Sequence, residues 1–95
     1  VPPFLHHKNI MIHIGNIIRQ ELKQQRQSVS WLAYQLNTDR SNMYRILKKR
    51  NLDAELLRRI SVILNHDFFQ YYSRDLHLYL LAELFSAYLI LPMGL

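Results

Sequence analysis

The sequence predicts an all-α fold, and three observations carry that prediction. Apolar residues recur at three- and four-residue spacing along most of the chain, which marks one face of a helix rather than a strand. Only two glycines and three prolines occur, the prolines all near the ends, so little interrupts a helix. Short polar punctuation, "LNTD" at 36–39 and "LNHD" at 64–67, supplies a helix stop followed by a helix cap. At 95 residues the chain can bury one helical core and is too short for two.

A first helix is expected over about 11–25, where Ile14, Ile17, Ile18 and Leu22 share one arc and Arg19, Lys23 and Arg26 lie on the other face. Ser28 suits an N-cap, and Val29, Leu32, Ala33 and Leu36 line one narrow face of a short second helix. That helix should stop at Asn37, because asparagine tolerates the left-handed backbone that ends helices, and Asp39 can cap the next one. The third helix, about 40–48, separates into Met43, Ile46 and Leu47 on one face and Arg40, Ser41, Tyr44, Arg45 and Lys48 on the other. The first face is core, and the second is offered to a partner, with Asn42 at its edge.

Residues 49–52 read as a loop, after which Asp53 caps a fourth helix whose buried stripe is Leu56, Leu57, Ile60, Ile63 and Leu64. Asn65 should end it and Asp67 cap a fifth helix starting near Phe68. Phe68, Phe69, Tyr71 and Tyr72 follow that cap and read as core in preference to a stacking platform for single strands. Trp31 and Tyr34 project away from the narrow face of the second helix and are expected to cover a neighbouring element.

Charge is placed unevenly. The formal net charge is +5, and residues 19–59 alone hold ten Lys or Arg against Glu21, Asp39, Asp53 and Glu55. Five of those cations fall within the fifteen residues "LNTDRSNMYRILKKR" at 36–50. Such a balance favours an anionic partner, nucleic acid or an anionic membrane surface. From residue 75 onward there are two acids and no Lys or Arg, so the basic character stops where an apolar tail begins.

In that tail a helix over 76–91 would be apolar around most of its circumference, with Tyr79, Glu83 and Ser86 as a narrow polar stripe. Leu81, Leu84, Tyr88 and Leu91 follow a 3-4-3 spacing, and together with Phe85 they are the expected interface of a homodimer. Packing back onto the same chain is the second reading, and a protein or membrane partner the third. A run of about sixteen apolar residues broken by Glu83 is short for a membrane span.

Catalysis is not expected. Without cysteine there is no thiol chemistry, thiolate metal site or disulfide, and a reducing interior is the favoured compartment. The five histidines lack metal-ligand spacing, the acids are scattered, and no glycine-rich phosphate loop exists, so neither metal nor cofactor is expected. His6, His7, Lys8 and His13 break the apolar start, so no secretory signal is expected either.

"SVSWLAYQLNTDRSNMYRIL" at 28–47 resembles the helix-turn-helix core of the lambda-repressor/Cro-like (Xre-type) DNA-binding domains. Ser28 stands at the cap, Leu32 and Ala33 at the Leu-Ala pair, Leu36 at the buried leucine and Asn37 at the usual turn glycine. Asp39 stands at the second cap, with Met43 and Ile46 at the buried aliphatic positions. "IGNIIRQELKQQ" and "DAELLRRISVILNHDFF" resemble the family's first and fourth helices, so the likeness covers about 14–73. Besides Asn37 for glycine, Val29 departs from the pattern, standing where many members place a glutamine that supports phosphate or base contacts.

The resemblance implies a compact five-helix DNA-binding domain over 11–73, preceded by an extension over 1–10 and followed by an additional apolar helix over 74–95. It implies a sequence-specific regulator of double-stranded DNA, repressor-like, in a bacterial or phage-encoded, cytoplasmic setting. Arg40, Ser41, Asn42, Tyr44 and Arg45 would face base edges, with Arg40 and Arg45 foremost, because arginine can grip guanine with two hydrogen bonds. Ser28, Lys48, Lys49 and Arg50 would meet phosphates, which supply affinity but little sequence information. Neutralising about six phosphates would weaken binding on the order of a thousandfold between low and moderate salt. The competing expectation is a protein-interaction module of antitoxin or adaptor type, using the helix pair as scaffold and the tail, Trp31 and Tyr34 as partner surface.

Overall fold

The computed structural model describes residues 12–90, with the side chains of Leu89 and Ile90 excepted. The described residues are all-helical, with five helices and no strand: α1 (Ile14–Gln24), α2 (Val29–Gln35), α3 (Arg40–Leu47), α4 (Ala54–Leu64) and α5 (Gln70–Ile90). The chain divides into two units; α1 to α4 lie in the unit Ile12–Phe69, and α5 belongs to the other.

Each helix of the first unit starts at a side-chain cap. Ser28 Oγ accepts from Trp31 N, Asp39 Oδ1 from Asn42 N and Asp53 Oδ1 from Leu56 N, at 2.9, 2.7 and 2.8 Å, as their sequence positions predict. At α1 the cap is His13, whose Nδ1 accepts from Asn16 N at 3.1 Å and must be unprotonated to do so. The helix therefore opens at Ile14 and not at 11; Met11 itself lies outside the described residues.

Three helices end in the same way. Asn37 and Asn65 adopt left-handed backbone, with φ of 57° and 51°, as predicted for the stops of α2 and α4. The next amide then reaches back five residues, Thr38 N to Ala33 O and His66 N to Ser61 O, closing a Schellman turn. Arg26 does the same after α1, with φ 57° and Gln27 N donating to Leu22 O. No sequence signal announced that turn, because arginine carries a Cβ that disfavours the left-handed region by roughly 1–2 kcal/mol. Arg26→Gly should therefore raise the stability of this unit by about 1 kcal/mol. A thermal melt reads this directly, and an unchanged or lower midpoint would show that Arg26 carries no strain.

The core collects Ile14, Ile18 and Leu22 of α1, Leu32 and Ala33 of α2, Met43, Ile46 and Leu47 of α3, and Leu57, Ile60 and Leu64 of α4, with Leu36 and Phe68. The expected arcs are slightly narrower in fact: Ile17, Leu56 and Ile63 are half-buried. α3 packs on both α1 and α2. Its contact with α1 is unusually close at Gly15, where a Cβ would stand 2.1 Å from Leu47 O and 2.6 Å from Lys49 O. The amides of Ile14 and Gly15 donate to Arg50 O and Lys49 O at 2.9 and 3.1 Å, so the first turn of α1 is satisfied by the chain leaving α3. At the far end Gln25 Nε2 donates to Leu64 O at 2.7 Å and ties α1 to α4.

Two expectations are corrected. Asp67 accepts from Phe69 N two residues on, at 2.9 Å, forming a local turn, and the fifth helix begins at Gln70 rather than near Phe68. The fifth helix and the additional apolar helix, expected as separate elements, are one continuous helix of 21 residues. Nothing between them breaks it, since "YYSRDLHLYL" contains neither glycine nor proline.

Candidate nucleic-acid interface

The outer face of α3 is built on its inner one. Met43, Ile46 and Leu47 are buried, which fixes the roll of the helix and leaves Arg40, Ser41 and Arg45 exposed, with Asn42 and Tyr44 half-buried at opposite edges. All five expected base-facing residues thus lie on one helix, and three of them, Ser41, Asn42 and Arg45, line an open depression together with Thr38 and Asp39.

Side-chain hydrogen bonds hold this surface in place. Thr38 Oγ1 accepts from Asn42 Nδ2 at 2.8 Å, and Asn42 Oδ1 accepts from Arg45 Nη2, so the turn, the edge of α3 and its central cation form one chain of contacts. At the other edge the Arg40 guanidinium stands over the Tyr44 ring, 5.4 Å from its centroid, with Nη2 3.5 Å from the Tyr44 hydroxyl. The Arg19 guanidinium, from α1, lies 5.9 Å from the same ring.

Ser28, Lys48, Lys49 and Arg50 are exposed. The Ser28 oxygen is engaged in capping α2, which leaves its hydroxyl hydrogen to donate outward. The carbonyls of Lys49 and Arg50 are held by α1, so the backbone carrying two of the three cations is pinned even though their side chains reach solvent. Arg58, by contrast, is bound to Glu55 at 2.8 Å, and that hydrogen bond holds the Glu55 carboxyl below the ordinary carboxylate range.

No family model, curated protein or solved structure matches this chain.

Two residues of this surface were not singled out from the sequence. Arg19 was assigned to the outer face of α1, but periodicity within α1 and α3 does not tell which turn of one meets which turn of the other. Thr38 and Asn42 stand four apart across a cap, a spacing that could have been read as a contact. The expected interface on α5 is exposed at Leu81, Leu84, Phe85 and Tyr88; Leu91 lies outside the described residues. Trp31 is half-buried, but Tyr34, expected to cover a neighbour, is 81% exposed. No helix among the described residues is long and apolar enough to cross a membrane.

Proposed function

We propose that this chain is a sequence-specific double-stranded DNA-binding regulator of the repressor type, similar to the Xre-type domains, that lays α3 in the major groove. One observation carries the reading: a short helix with a buried apolar face turns a wholly polar, cationic face outward, directly after a four-residue connection from α2. Arg40, Ser41, Asn42, Tyr44 and Arg45 face base edges, while Ser28, Lys48, Lys49 and Arg50 meet phosphates. No cofactor and no catalytic step are part of this function.

The functional form is a homodimer joined through α5. Leu76, Leu78, Leu80, Leu81, Leu84, Phe85 and Tyr88 are 48–72% exposed. At 100° per residue they span an arc of about 200°. With roughly 150–250 Å² for a full aromatic side chain and somewhat less for leucine, that arc offers about 800 Å². Each partner of a standard interface contributes about as much. The polar stripe of α5 bears Glu83 and no Lys or Arg, which suits another protein surface better than an anionic bilayer. Two copies would present two α3 helices to half-sites about one helical turn apart.

Selection from a randomised duplex library at two salt concentrations, with the full-length protein, tests the reading. A palindromic site should emerge, and Arg40→Ala combined with Arg45→Ala should erase its preference over scrambled duplex by at least about tenfold per lost base contact. Intact discrimination in that double variant would remove α3 as the reading helix. The second reading, a protein-interaction module, is favoured by the exposed Tyr34 and the apolar arc of α5, and sequence-blind binding in the same selection would turn the choice to it.

A further inference from the structure

Tyr44 sits at the α1 edge of the outer face of α3, and two guanidiniums from different helices share its ring. Arg40 reaches the ring from one turn earlier on the same helix, the spacing at which helical side chains meet. Arg19 reaches it because α1 and α3 run past each other: Gly15 abuts Leu47, and four residues further along α1 Arg19 abuts Tyr44, three residues back along α3.

Among the described residues neither guanidinium has a counter-charge within ion-pair distance. The ion pairs among the described residues are Arg58 with Glu55 and His66 with Glu21, and no carboxylate pairs with Arg19 or Arg40. At an exposed site the ring attracts each cation only weakly, while the two cations repel one another. An anion between or beside them reverses that balance. A guanidinium carries five N–H donors, so with Arg40 Nη2 turned to the Tyr44 hydroxyl at 3.5 Å the rest of its fork is left to match the oxygens of a phosphate. Arg45 is held differently: its Nη2 donates to Asn42 at the opposite edge of the face, in a chain anchored on Thr38, and no ring or second cation stands beside it among the described contacts. The α1 edge therefore has the chemistry of a backbone grip, and the Asn42 side that of a reading surface.

We infer that Arg19 and Arg40 form a two-guanidinium site for a phosphodiester of the duplex backbone, with Tyr44 as the residue that positions both. This rests on the DNA-binding reading and revises it at one residue: Arg40 grips the backbone in place of a base edge, and Arg45 reads a base.

The test measures affinity of the full-length protein against salt, on the selected site and on a scrambled duplex of the same length. Arg19→Ala and Arg40→Ala should each weaken both duplexes by a similar factor, about tenfold at moderate salt, and reduce the slope of log affinity on log salt by about one. Arg58→Ala removes the same charge from a guanidinium already held by Glu55 and should leave the slope unchanged. Tyr44→Leu should lower the slope as well, and Tyr44→Phe, which keeps the ring, should restore it. Arg19 is exposed, so its replacement should leave the thermal midpoint in place.

A slope unaffected by Arg19→Ala, or moved no more than by Arg58→Ala, overturns the site. So does an Arg40→Ala variant that changes the preferred base without changing the slope. In both cases sequence selection by the unmodified protein would leave the DNA-binding reading standing. An unmodified protein that selects no sequence overturns that reading and this site with it.

Discussion

Gly15→Ala should lower the stability of the helical unit by about 3 kcal/mol or more, where the same change inside an ordinary helix raises it by roughly 0.5–1 kcal/mol. The added methyl would lie 2.1 Å from Leu47 O and 2.6 Å from Lys49 O, both backbone atoms that no rotamer change can move. Relief requires α1 and α3 to separate. Separation lengthens the bonds from Ile14 and Gly15 to Arg50 and Lys49 and loosens the packing of Ile14, Ile18, Met43 and Leu47. Against a total of roughly 5–15 kcal/mol for a small domain, such a loss brings the midpoint down by about 15 °C. Urea and thermal denaturation read this directly, with Asn16→Ala, an exposed neighbour on the same helix, as control. A Gly15→Ala protein as stable as the parent would mean that the two helices do not approach as described. DNA affinity should fall with stability, because the same contact holds the Lys49–Arg50 backbone and brings Arg19 to Tyr44.

Leu84→Glu combined with Tyr88→Glu should separate the proposed dimer into monomers and weaken binding to a two-half-site duplex by two to three orders of magnitude. These side chains stand one turn apart at the centre of the apolar arc of α5 and are 68% and 72% exposed. Two carboxylates at that point would face their copies in the partner, and like charges brought together out of water are strongly repulsive. Sedimentation equilibrium gives the mass, and binding to a single half-site gives the affinity of one copy, which should not change. The unfolding free energy of the unit Ile12–Phe69 should stay within about 0.5 kcal/mol of the parent, as is usual for exposed positions. A parent that is monomeric at binding concentrations, or a double variant that remains dimeric, would remove α5 as the joint between copies.

The caps and stops were legible in the sequence because their physics is local. Ser28, Asp39 and Asp53 act within three residues, and Asn37 and Asn65 act within their own dihedral angles, so the boundaries of α2, α3 and α4 fall within a residue or two of expectation. The faces of α3 were legible for the same reason, since one helical period sorts Met43, Ile46 and Leu47 from Arg40, Ser41 and Arg45. Missing from the sequence was whatever depends on a second element. The partner ring of Arg19 lies twenty-five positions away, on a helix whose offset against α1 no periodicity records. Gly15 did carry a signal: a glycine inside an amphipathic helix is unfavourable unless another backbone lies against it. Arg26 carried none, because its left-handed turn is imposed by the direction the chain takes into α2. The continuity of α5 is hidden by composition: an aromatic segment and an aliphatic one read as two helices, although no residue between them breaks a helix.

The bonds from Ile14 and Gly15 to Arg50 and Lys49 also set an order of events in synthesis. The chain is made from α1 toward α3, so the amides of Ile14 and Gly15 lack their carbonyl partners until about thirty-five more residues have been added. Before then those two amides can bond only to water, and a short isolated helix is marginal there. Of the four helices in this unit, α1 is made first yet is among the last to be completed, and the "KKR" segment that completes it also carries the cations proposed to reach DNA. A nascent chain cut short before residue 49 would hold all five predicted base-reading residues and lack the carbonyls that close the first turn of α1.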